Sequence, residues 1–229
     1  MYLLYRSIVP YEKAMPDFRL RGALFFPAML GFALGVAHIG LDGDLISRGY
    51  GGLAYLLLYP AIATYGLIVV FNRALFVKKV GTAVYFGVGG GALALGLAFV
   101  DVYRSLSSPA RALSDFVFLA EMLFLASAIV LFHSSKGLLL GTYFAEGRKL
   151  RGVAVSVAVE VPFGAFYLTG QIPGVDPAPI VAFLFLYGAA MYYLCWHVFF
   201  VRKMPGELRR ALDQERKRER RVLIAKRAK

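Results

Sequence analysis

The residues of this chain best placed to do chemistry are carboxylates in the middle of long apolar runs. Glu160 stands at the centre of a run from Gly152 to Gly170, and Glu121 stands about one helical turn from the centre of another, from Asp115 to His133. Both are expected at similar depth. An ionisable group surrounded by hydrocarbon is costly, about 2.5–3.5 kcal/mol on insertion scales, and marks a proton or ion route unless it is paired, protonated or wet. Asp101 lies nearer the end of a third run, Gly81 to Tyr103, where water reaches it, and Asp115 sits at a boundary. No Lys or Arg falls inside these runs, so the carboxylates are expected to be protonated, hydrogen-bonded to Tyr, Ser or Thr, or paired with a mobile cation. A purely structural alternative is a protonated Glu bonded to a backbone carbonyl, Tyr85 or Tyr192. Pro162 sharpens the functional reading of Glu160, because proline removes a backbone donor and frees a carbonyl one turn earlier.

The three histidines give a second lead. His38 ends the first apolar run, His133 ends the fourth, and His197 lies near the end of the sixth. His133 and His197 fall at one depth on different spans, the arrangement that holds a b-type haem between two imidazoles. The competing reading places each at a helix C-terminus or in an aromatic belt, beside Tyr192, Tyr193 and Trp196. Other constellations fail on spacing: His133-Ser134-Ser135 lacks a nucleophile elbow, and Asp42-Gly43-Asp44 reads as turn chemistry. There is no Cys-x-x-Cys, P-loop or dinucleotide fingerprint.

The elements that must position these groups follow from composition. The chain has 229 residues, 59% hydrophobic and 17% charged, with a net charge of +12. That excludes a soluble enzyme and a disordered chain, and the single Cys195 excludes a disulfide scaffold. Six apolar stretches without Lys or Arg can each cross a bilayer: Gly22–Gly40, Gly51–Phe71, Gly81–Tyr103, Asp115–His133, Gly152–Gly170 and Pro179–Val201. In hydrocarbon the backbone must satisfy itself as helix, and no run alternates as a barrel strand would. The expected fold is therefore all-α, a polytopic bundle of six transmembrane helices in the cell membrane (22–201), after an interfacial lead-in (1–21) and before a basic cytoplasmic tail helix (202–229).

Basic residues set the orientation. Twenty-three fall at the two termini and in the second and fourth connections, against three (Arg48, Arg104 and Arg111) in the others, so both termini are expected in the cytoplasm. No cleavable signal peptide is expected, since the first run starts after some twenty mixed residues. The tail carries 12 basic and 4 acidic residues from Arg202 onward, and Arg209, Arg210, Arg216, Lys217, Arg220 and Arg221 suit docking to anionic lipid or a partner subunit. No aromatic residue follows Phe200, so specific nucleic-acid binding is not expected.

Small residues at Gly31 and Gly35, and at Gly87 and Gly89–Gly91, allow close helix approach. A faint internal repeat relates Pro60-x-x-Ala63-x-Tyr65 to Pro162-x-x-Ala165-x-Tyr167, and Phe86-Gly87 to Tyr187-Gly188. Two groups of three spans face opposite ways, as in many transporters. The leading expectation is a small transport or permeation protein handling a proton or cation at Glu160, Glu121 and Asp101. The alternatives are a respiratory membrane anchor with haem b at His133 and His197, and a non-catalytic assembly subunit. Self-association or a partner membrane subunit is expected in each case, because six helices leave little room for a central path.

Overall fold

The computed structural model describes residues 20–45, 51–71, 79–106, 116–170, 172 and 174–203, together with 210, 213, 214, 217, 218, 220 and 221 of the tail. The described residues are helical throughout apart from short turns. The helices are α1 (Leu20–Leu45), α2 (Gly51–Phe71), α3 (Lys79–Leu106), α4 (Phe116–Ala145), α5 (Lys149–Thr169) and α6 (Pro177–Tyr193). A π-helical turn, Leu194–Phe199, then leads α6 into a last short helix, α7 (Phe200–Lys203). Among the described residues four helical segments are long and apolar enough to cross a membrane: Thr82–Tyr103, Phe116–Ala145, Lys149–Thr169 and Pro177–Arg202. The chain is a membrane protein. α1 and α2 contribute shorter apolar stretches among the described side chains, Leu24–Ala37 and Pro60–Phe71.

α3 is the axis of the bundle, and its sequence explains why. Every residue from Ala83 to Ala94 is buried, because glycines at 87, 89, 90 and 91 leave a thin helix that neighbours approach closely. A Cβ on Gly90 would fall inside the His133 carbonyl, and one on Gly137 inside the Phe86 carbonyl, so α3 and α4 cross glycine on glycine. On the other side Gly31 of α1 lies against the Leu93 carbonyl of α3, and Gly96 of α3 against Ala28 and Phe32. α1 thus packs mainly on α3 and α4 on both α3 and α6, while α2 packs on α5 and α1. The α3–α4 crossing has no counterpart of similar extent between α6 and α1 among the described residues.

α4 departs from the sequence reading. The fourth span was expected to end at His133, with Lys136 in a cytoplasmic connection; the helix instead runs on to Ala145. Every residue from Phe132 to Thr142 is buried, Lys136 included. The stretch Gly137–Ala145 is apolar and supplies a second small-residue pair, Gly137 and Gly141, the latter set against Phe86 and Ala83 of α3. The connection to α5 shrinks to a tight turn, with Gly147 at φ +77°. Arg148 N–H donates to the Tyr143 carbonyl (2.9 Å) and Gly147 N–H to the Phe144 carbonyl (3.0 Å), the pair of bonds that closes a helix on a left-handed glycine. At its other end α6 starts cleanly: the Asp176 carboxylate accepts from Ala178 N–H at 3.1 Å, with Pro177 in the first turn.

Candidate functional site

The α4–α5 hairpin decides what faces Glu160. Lys136 and Glu160 lie equally far in sequence from Arg148 in the turn, and antiparallel helices joined by so short a turn bring such residues level. Lys136 Nζ donates to Glu160 Oε2 at 2.6 Å, with the side chains 0% and 4% exposed. This corrects the expectation that no cation neutralises Glu160. A charge-assisted bond of that length is among the stronger polar contacts available to a protein, and it must be, since each buried ion alone forfeits several kcal/mol of hydration.

His133 completes the cluster one turn before Lys136. Its Nδ1 lies 3.9 Å from Glu160 Oε1 and makes no hydrogen bond, being too far for a direct one and at a distance one small polar molecule could bridge. Ser156, one turn before Glu160 on the buried face of α5, has an equally unpartnered Oγ. Aromatic rings pack beside the cluster. Phe132 precedes His133 and stacks on Phe163 of α5, and the His133 ring meets Phe163 edge-on at 6.3 Å. Along α4 the cluster falls between two apolar cores, one containing Phe132, Phe163 and Leu184 and the other Phe86, Leu138 and Trp196. Trp196 also donates Nε1–H to Ser134 Oγ at 3.3 Å, tying the π-helical turn to α4 beside His133. Such turns recur at functional positions because they re-aim a side chain.

The other expected site residues scatter. Glu121 is half-buried near the start of α4, fifteen residues before Lys136, which is about 22 Å of helix; it does not share a depth with Glu160. Asp101, also half-buried, accepts the Tyr167 hydroxyl at 3.0 Å. His133 is not at a helix end, as expected, but inside α4. His197 is exposed and its ring lies tilted against Tyr193 at 5.6 Å. The two imidazoles therefore occupy different surroundings. The carbonyl freed by Pro162 is that of Ala158, and the neighbouring Val159 carbonyl accepts the Tyr187 hydroxyl at 2.9 Å. In the tail Arg210, Lys217, Arg220 and Arg221 are exposed, while Arg209, Arg216 and the lead-in before Leu20 lie outside the described residues.

Sequence reasoning missed Lys136, Ser156 and the Phe132–Phe163 stack. Two signals could have found them: the equal spacing about Arg148, and the buried stripe Gly152, Ser156, Glu160, Phe163 and Tyr167 at helical intervals on α5. Comparisons with protein-family models, with curated proteins and with solved structures gave no match to this chain. The functional reading therefore rests on geometry alone.

Proposed function

We propose that the protein is a small multi-pass membrane transporter in which the Lys136–Glu160 pair exchanges protons, with His133 as the neighbouring acceptor. The observation that carries this is a fully buried ion pair inside a helical hairpin, flanked by an unpartnered imidazole nitrogen. Ionisable groups held at such depth mark proton and ion routes. A proton reaching Glu160 leaves Lys136 as an uncompensated buried cation, so its arrival has to be matched by loss of the lysine proton, entry of an anion, or a shift of α4 against α5. That coupling is what a transporter needs. It also favours a proton over a metal cation, which would have to displace the lysine ammonium from Glu160.

In this reading the six long helices α1 to α6 cross the cell membrane. Moving Lys136 from connection to helix still leaves basic residues divided 22 to 3, which supports cytoplasmic termini and a tail lying against anionic lipid. His133 is buried beside Glu160 while His197 is exposed, so the haem-holding alternative gains no support.

The test is proton flux into phosphatidylcholine–phosphatidylglycerol vesicles containing the full chain, driven by a valinomycin-clamped potassium potential and read with a trapped pH dye. The wild type should exceed empty vesicles, and Glu160→Gln should lose about nine-tenths or more of the excess, as for a group in the path of the ion. Lys136→Met/Glu160→Gln removes both charges and should be equally inactive while folded, which separates lost flux from lost fold. Wild-type flux in Glu160→Gln sinks the reading.

A further inference from the structure

The buried stripe of α5 changes character along its length. Ser156 and Glu160 are polar, Phe163 is apolar, and Tyr167 is polar again. Tyr167 gives its hydroxyl proton to Asp101 Oδ2 of α3 at 3.0 Å. Tyr167 stands seven residues beyond Glu160, about 10 Å along the helix, so its hydroxyl ties α5 there to a second carboxylate, half-buried where Glu160 is 3% exposed.

Between the two lies an aromatic stack. Phe163 and Phe132 are parallel within 6° at a centroid distance of 4.2 Å, and both are buried. Tyr187 of α6 packs against this pair at 5.8 Å from Phe132 and 6.3 Å from Phe163. Its hydroxyl is spent on the Val159 carbonyl, so it presents only ring to the gap. Phenyl rings neither accept nor pass a proton, and closely packed ones exclude the water that would.

We propose that Asp101 and Tyr167 form a second proton-binding site, the outer station of a path to Glu160, and that the Phe132–Phe163 stack is the dry barrier between the stations. This rests on the reading of Glu160 as a proton-exchange site. Asp101, half-buried, takes a proton from water, and the Tyr167 hydroxyl, both donor and acceptor, hands protons between that carboxylate and water on the inner side. When the rings separate, a water reaching past them delivers the proton to the Glu160 carboxylate. Lys136 and His133 face Glu160 from α4, so the proton arrives where one ammonium is bonded and one imidazole nitrogen stands open.

The vesicle assay tests the path by opening it. Phe163→Ala should raise proton flux about tenfold or more over the wild type, as expected when an apolar constriction wets. Adding Asp101→Asn or Glu160→Gln to Phe163→Ala should bring the flux back to the wild-type rate or below. Phe163→Leu, a milder change should the alanine variant not fold, should raise it by about two- to threefold, again only with Asp101 present. A folded Phe163→Ala or Phe163→Leu protein with wild-type flux overturns the barrier, and a leak indifferent to Asp101→Asn overturns the outer station. Loss of flux in Glu160→Gln with no effect of the Phe163 and Asp101 changes defeats the path alone. Wild-type flux in Glu160→Gln defeats the proton reading beneath it.

Discussion

Lys136→Met should destabilise the folded protein by about 3–5 kcal/mol, the range for removing one partner of a buried pair, and Glu160→Gln should also destabilise it. The reason is the charge left behind rather than the bond lost. With Lys136 gone, buried Glu160 has no cation beside it but the unpartnered His133 nitrogen 3.9 Å away; with Glu160 neutral, a 0% exposed ammonium keeps only a weak acceptor. Lys136→Met/Glu160→Gln leaves neither orphan. It should recover most of the loss, because replacing both members of a buried pair by neutral groups is often near neutral. The measurement is a double-mutant cycle from reversible unfolding of the detergent-solubilised protein. A coupling energy near the upper end of the usual range, about 3 kcal/mol, is the expected result. Additive single effects would mean that the two side chains do not meet in the folded protein.

The same pair shows what could be read from the chain and what could not. Five of the six apolar stretches are helical segments whose ends lie within about five residues of those expected, the sixth being counted through the π-helical turn and α7 to Lys203, because length, hydropathy and the rule that backbone in hydrocarbon must be helical all agree there. Gly51–Phe71 reappears unchanged. The fourth stretch falls twelve residues short of the helix end, at His133 instead of Ala145, because a lysine ordinarily ends an apolar run. That rule holds for a lysine with no partner. Here the partner sits on the next helix, and only the hairpin geometry reveals it. Glu160 was legible as a buried ionisable group from its position alone, whereas its ligand was hidden by a boundary error in the neighbouring helix. The Asp101–Tyr167 bond joins residues 66 apart, a contact that no spacing within one helix encodes. On α5, Phe163 and Tyr167 follow Glu160 along the buried face at helical intervals.

Gly137→Val should be among the most damaging small substitutions outside the charged cluster. A first carbon at position 137 would meet the Phe86 carbonyl and stand 3.3 Å from Gly90 Cα. These are backbone atoms of α3, which is enclosed on every side from Ala83 to Ala94, so the helices can only move apart. Overpacking a tight interior costs about 1–3 kcal/mol and sometimes more, and a branched side chain against backbone belongs at the upper end. Even Gly137→Ala should destabilise, despite the gain of up to about 1 kcal/mol that alanine brings to a helix interior. Gly147 supplies the contrast. Nothing lies within 4 Å of a Cβ there, but φ is +77°, so Gly147→Ala is opposed by backbone strain of about 1–2 kcal/mol alone and should leave the α3–α4 crossing intact. Thermal unfolding in detergent should therefore rank Gly137→Val below Gly137→Ala, with Gly147→Ala nearer the wild type. The crossing also fixes the site, since His133 lends its carbonyl to the Gly90 contact and Lys136 adjoins Gly137 in sequence. A Gly137→Ala protein that stays folded should accordingly lose proton flux as well as stability, whereas Gly147→Ala should retain flux at whatever fraction remains folded. Equal flux per folded molecule in the two variants would show that the glycine crossing supports the bundle without positioning Lys136 and His133 for Glu160.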